Sequence, residues 1–236
     1  YFKEMRIDPE NPKCPDRDRF VLSKGHCAPG LYATLAERGY FSTEELKSLR
    51  HIGAMLQGHP DMKGTPGVDM SSGSLGQGVS AAVGMALAGK LDNKDYRVYT
   101  LLGDGEIEEG QVWEAAMFAA HKKLDNLCLI VDSNGLQIDG PVSEVAGPEP
   151  IDKKFEAFGF DVQTINGHCF DELEAAFAHA KTVKGKPSVI ITKTTKGKGV
   201  SYMENQVSWH GTAPNKEQYD VAMQELTAAL RELEGC

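Results

Sequence analysis

Gly103-Asp104-Gly105 closes the apolar run YTLL, and Asn134 follows the next apolar run, LCLIV, with one helix-length segment between them. Strand, helix and strand of this size form a right-handed βαβ unit, so side chains in the two turns emerge at the same carboxyl edge of a parallel sheet. One Asp carboxylate and one Asn amide oxygen are hard donors that suit Mg²⁺ when phosphate oxygens complete its shell. The arrangement therefore predicts a magnesium–diphosphate site in which the metal is held through a cofactor. Gly-Asp-Gly alone is ordinarily a tight turn, because both residue types favour turns. The flanking strand, the helix and Asn134 are what make it a ligand candidate.

The pattern around this unit repeats it. Apolar runs near Tyr96–Leu102, Leu127–Asp132, Asp161–Ile165 and Ser188–Thr192 alternate with helical periodicity near Glu108–His121, Ile151–Ala157 and Asp171–Val183. Continuous apolar strands such as SVIIT suit a mostly parallel sheet with helices on both faces, the α/β class. Upstream, residues 1–19 read as loop, and FVLSKGHCAPGLYATLAERGY as a strand, a glycine turn and a helix. Ser42 with Glu45 predicts a capping box for a short helix ending near Arg50. Gly and Pro make 52–73 a long loop. A regular βα core over 96–193, a site loop over 194–214 and a helix over 215–236, opened by Asn215 and Gln218, complete one domain spanning 1–236.

With 236 residues there is room for one sizeable α/β domain. A net charge of −9, with no basic cluster beyond Lys193, Lys196 and Lys198, argues against a nucleic-acid surface. No apolar run is long enough to span a bilayer, so no membrane partner is expected. Five scattered cysteines without a CxxC fit reduced thiols and a cytoplasmic location, with Cys128 in the core. The start, YFKEMR, lacks the features of a signal peptide. Tyr1-Phe2 reads as the tail of an earlier apolar element, so a preceding segment is expected.

Ser71-Ser72-Gly73-Ser74-Leu75-Gly76 leads into a helix, whose free N–H groups make it a phosphate candidate, against the plainer reading of closely packed glycines at a helix start. Gly84 to Lys90 has GxxxxGK spacing, but Leu91 stands where Ser or Thr is needed, and the segment is helical. Gly103-x-Gly105 lacks the third glycine of a dinucleotide fingerprint. Glu106 and Glu108 are sufficiently explained as negative charge at a helix start, worth about 0.3–1 kcal/mol each. Glu109, four residues before Trp113, is expected on the face of that ring, shielded and functional. His26, His59 and His210 stand in Gly/Pro turns, where imidazole serves as a proton carrier. His51, His121, His168 and His179 lack such surroundings and read as surface or capping residues.

Taken together, GDG-x4-EG-x3-EA and DSN-x3-IDG resemble the thiamine-diphosphate signature of transketolases. LSKGH, GHPD, SSGSLGQG, TKTTKGKG and WHG stand in that family's order, over roughly Asp16 to Pro214. MENQVSWHG near the end resembles the separately encoded N-terminal subunit of a split transketolase. The resemblance implies Mg²⁺, with Ca²⁺ or Mn²⁺ as substitutes, on Asp104, Asn134 and the Leu136 carbonyl. It implies thiamine diphosphate along Gly73, Ser74, Leu75 and Gly105, with His26 and His210 beside it. His26, His59 and His210 would bond substrate oxygens and move protons. Glu109 would link the two cofactor sites of a dimer, with Glu114 a weaker companion.

The activity implied is two-carbon ketol transfer from a ketose to an aldose, phosphorylated or not, in carbohydrate metabolism such as the pentose phosphate pathway. Two family features have no match here: a histidine in an upstream Gly-His-Pro segment, and the cofactor-activating glutamate of a second, pyrimidine-binding domain. The expected partner is therefore a pyrimidine-binding C-terminal transketolase subunit, in an α₂β₂ assembly, and the chain alone is expected to be inactive. Two alternatives stay open at this point: another thiamine enzyme, such as a 2-oxo-acid dehydrogenase component or a deoxyxylulose-phosphate-synthase-like protein, or a non-catalytic scaffold.

Overall fold

The computed structural model describes residues 1–234; the last two positions of the expected final helix, with Cys236, lie outside the described residues. In chain order the elements are β1 (Arg19–Leu22), α1 (Ala28–Glu37), α2 (Gln77–Leu91), β2 (Val98–Gly103), α3 (Gly110–His121), β3 (Leu127–Ser133), β4 (Leu136–Gln137), β5 (Gly140–Pro141), α4 (Val142–Val145), α5 (Ile151–Phe158), β6 (Asp161–Asn166), α6 (Phe170–Thr182), β7 (Ser188–Lys193) and α7 (Lys216–Glu234). Five strands form one sheet in the order β1-β2-β3-β7-β6, with every pairing parallel.

Side chains alternate across a strand, so each strand feeds both faces. Val98 and Leu102 of β2, Leu127, Leu129 and Val131 of β3, and Val189 and Ile191 of β7 join the largest core, with α2, α3 and α5. Tyr99, Cys128 and Ile190 point the other way, onto Ala176 and Ala180 of α6. Leu22 packs with Leu31, Tyr32 and Leu35 of α1, under the long loop through Leu56 and Val68. Cys128 is fully buried, as its apolar strand predicts.

Two local expectations are corrected. Ser42 Oγ accepts from the Glu44 N–H rather than the Glu45 N–H, and the segment Thr43–Ser48 is a 3₁₀ helix, so no capping box forms. The β4–β5 hairpin and α4 were not anticipated, because two-residue strands are too short to show a period. At the other end, Asn215 and Gln218 do cap α7: each side-chain oxygen accepts the other's backbone N–H, both at 2.9 Å.

Candidate functional site

The carboxyl ends of β1, β2, β3 and β7 meet at one edge, around a cleft of about 810 Å³. That is the size range of a cofactor pocket, at the edge where open parallel sheets bind ligands. Among the sequence-predicted residues, His26, Gly73, Leu75, Asp104, Gly105, Asn134, Leu136 and His210 line it. His59 lies at the rim, its ring 3.0 Å from where a Cβ on Gly73 would stand. Ser74 is exposed and does not line the cleft. Gly25 is required for the approach of the two loops, since a Cβ there would stand 2.7 Å from the Gly73 nitrogen.

Asp104 is 2% exposed. It accepts from the Gly105 N–H at 2.9 Å and the Gly135 N–H at 2.6 Å, yet burial raises its pKa above the usual carboxylate range. The nearby Lys24 charge pulls the other way without offsetting the burial. Asn134 Oδ1 is held by the Leu136 N–H at 3.0 Å. Among the described residues no three His, Cys, Asp or Glu side chains come together as a metal cage. One carboxylate and one amide cannot satisfy Mg²⁺ alone, so the donor set fits a metal whose remaining oxygens come from a diphosphate.

Among the cleft residues that sequence reasoning did not assign to the site are Lys24, Asp132, Thr194 and Lys196. The buried Lys24 ammonium pairs with Asp132, which also accepts from Thr194 Oγ1. Burial works to raise the Asp132 pKa, but the Lys24 charge and these bonds outweigh it and hold the carboxyl below its usual range. Lys196 Nζ lies 3.0 Å from His210 Nδ1, and burial lowers the lysine's pKa. The signals were present, as a Lys beside the glycine turn of β1 and an Asp two residues before Asn134, but neither type is diagnostic without the fold.

His26 and His210 stack with centroids 5.1 Å apart. Desolvation, then the neighbouring His210 and Lys24, push the His26 pKa down to about 4; burial and Lys196 lower that of His210. Both imidazoles are neutral at pH 7. A histidine whose folded pKa lies below its unfolded value near 6.5 keeps its full stability contribution above that value and loses it as the pH falls toward 4. Replacing His26 by Asn is expected to flatten the decline of the melting temperature between pH 6.5 and about 4. An unchanged pH profile would refute the assignment.

Two glutamates are exchanged relative to expectation. Glu109 is exposed in this chain, not shielded, because it is the extended N-cap of α3 (φ −68°, ψ 126°) and so does not share a helix face with Trp113. Glu106, explained from sequence as helix-start charge, is 2% exposed and fully engaged inside. Glu114 is exposed on α3. His168 is exposed, as its reading as a surface residue expects, and it stands where the cleft opens, its Nε2 accepting the Thr195 N–H at 2.8 Å. The amino end of α2 is also less open than expected: the Gly76 N–H goes to Glu106 and the Val79 N–H to Ser23 Oγ.

A parallel α/β domain whose sheet edge gathers one carboxylate, one amide and two lysines in one cleft is of the class that binds anionic cofactors at strand ends. The chain belongs to the transketolase family, matching its thiamine diphosphate binding domain over residues 1–229. It is 51% identical over 96% of its length to a 6-deoxy-6-sulfo-D-fructose transketolase subunit of a Clostridium species, covering 82% of that protein. It is 45% identical over 99% of its length to one of the subunits of the apulose-4-phosphate transketolase of Phocaeicola vulgatus, covering 83% of it. Its fold matches the crystal structure of transketolase from Campylobacter jejuni at TM-score 0.89 and 40% identity, over 94% of this chain. The chain spans only 36% of that longer protein.

Proposed function

We propose that this chain is the thiamine-diphosphate-binding subunit of a heteromeric transketolase, working with a pyrimidine-binding partner. The observation that carries this reading is the cleft at the sheet edge, which Asp104 and Asn134 line together with Lys24 and Lys196. Its similarity to proteins named as transketolase subunits supports the need for a partner.

When bound, thiamine diphosphate supplies a carbanion equivalent for breaking and making the bond next to a ketose carbonyl. Asp104, Asn134 and the Leu136 carbonyl hold Mg²⁺, and the two lysines add positive charge for the diphosphate. Gly73, Leu75 and Gly105 form the wall along it, with Ser74 at the outer edge. His26 and His210, neutral at pH 7, accept and return protons at the substrate's hydroxyl oxygens, with Lys196 orienting His210. His59 reaches substrate from the rim. Glu109, exposed in the single chain, faces a neighbouring copy and couples the paired sites of an α₂β₂ assembly, with Glu114 beside it. The substrates are a ketose donor and an aldose acceptor, free or phosphorylated, and the described residues form one domain. Unpaired cysteines, among the described residues Cys14, Cys27, Cys128 and Cys169, support a cytoplasmic setting; no described helix is long and apolar enough to cross a membrane.

Assaying ketol transfer by the chain alone, by the partner alone and by both tests the reading. Activity is expected only in the mixture. Robust turnover by the pure chain would overturn the need for a partner. A mixture that binds no thiamine diphosphate would overturn the function itself.

A further inference from the structure

The buried carboxylate of Glu106 plays no part in the chemistry above, yet it is one of the most fully bonded side chains near the cleft. Its Oε1 accepts the Gly76 N–H at 3.0 Å and the Ser23 hydroxyl, and its Oε2 accepts the Gly103 N–H at 3.1 Å. Ser23 in turn accepts the Val79 N–H at 3.2 Å, so the pair closes the amino end of α2 from inside. Three segments meet on this one group: the end of β1, the glycine loop 71–76 and the strand end that carries Asp104.

Sheet pairing fixes the ends of β1 and β2, through the Ser23 N–H on the Leu101 carbonyl and Gly103 beside Asp132, so the glycine loop is the segment that the carboxylate ties to them. Gly76 has φ 79°, a conformation that side-chain-bearing residues rarely adopt, and Gly103 and Gly105 flank the metal-binding carboxylate. Glycine turns have many accessible conformations, and a bond to a charged acceptor in a dry site selects one of them. The carboxylate also takes the helix-terminal N–H that a phosphate would otherwise find, which leaves the diphosphate to Lys24, Lys196 and the metal.

We infer that Glu106 is a positioning residue for the diphosphate site, clamping the glycine loop to the Gly-Asp-Gly turn so that both cofactor-facing walls are preformed. The inference rests on the thiamine diphosphate reading above. Glu106→Gln keeps a carbonyl for Ser23 and Gly76 but turns an amide N–H₂ toward the Gly103 N–H. Glu106→Ala removes both acceptor oxygens and with them all three bonds.

The test measures thiamine diphosphate affinity in Mg²⁺, with the partner subunit present, well below the melting temperature of every variant. Backbone amide exchange at Gly76 and Gly103 is followed alongside. Glu106→Gln is expected to weaken binding about tenfold, as for one lost bond to a charged group, and to accelerate exchange at Gly103 but not Gly76. Glu106→Ala should weaken it about 100-fold and accelerate both; if it does not fold, the Gln variant decides. A purely structural role would lower the melting temperature and leave the affinity unchanged, and that result overturns the inference. Unaltered exchange at both glycines overturns it as well. If the unsubstituted complex binds no thiamine diphosphate, the cofactor reading fails instead, and the exchange data judge the clamp by themselves.

Discussion

Asp104→Asn is expected to weaken Mg²⁺-dependent thiamine diphosphate binding at least about 100-fold while leaving the unliganded fold as stable as before, or slightly more so. Loss of an outer-shell group alone costs a metal site about 10–100-fold, and Asp104 is the only carboxylate in the proposed ligand set. The stability half of the expectation follows from burial. Asp104 sits 2% exposed, and desolvation raises its pKa despite two backbone N–H bonds. Its charge therefore costs the empty protein free energy, a cost that a bound cation would offset. Asn keeps an acceptor for one of the two N–H groups and removes the charge. Calorimetric titration, with and without Mg²⁺, beside thermal melts reads both quantities. Equal binding by the variant would remove Asp104 from the metal site, and a large fall in melting temperature would mean its role is structural.

The sheet was legible in the sequence because continuous apolar runs at βα spacing have few other uses, and each of the four strands read from them formed within two residues of expectation. That Asp104 and Asn134 would share a cleft was legible for the same reason, since turns after successive parallel strands share an edge. The two glutamates were not. Their assignment assumed a helix beginning near Glu108, but a 3₁₀ turn over Glu106–Glu108 intervenes and α3 starts at Gly110. That short insertion rotates Glu106 inward and leaves Glu109 outside, and no periodicity reports it. Lys24 and Asp132 were missed for another reason: they lie 108 residues apart, and only the adjacency of β1, β2 and β3 brings them together.

Lys24→Met should lower stability by about 3 kcal/mol, the lower end for breaking a buried pair, and the melting temperature by about 6–12 °C for a chain of this size. The side chains of Lys24 and Asp132 are 10% and 23% exposed, so an unpaired Asp132 keeps little compensation from water. It would also be left near Asp104 with only the more distant Lys196 to offset the two charges. Because Lys24 holds the Asp132 pKa below its ordinary value, this contribution is present above the unfolded carboxyl pKa near 3.9 and fades as the pH falls below it. The variant's deficit should therefore shrink in acid. Asp132→Asn in the Lys24→Met background should restore most of the stability, since the isolated charge is gone. Cofactor affinity should not return with it. In the proposed function the ammonium itself meets the diphosphate, so a double variant that melts like the parent but binds weakly separates what Lys24 does for the fold from what it does in the cleft. A double variant that recovers both would reduce Lys24 to a structural partner of Asp132.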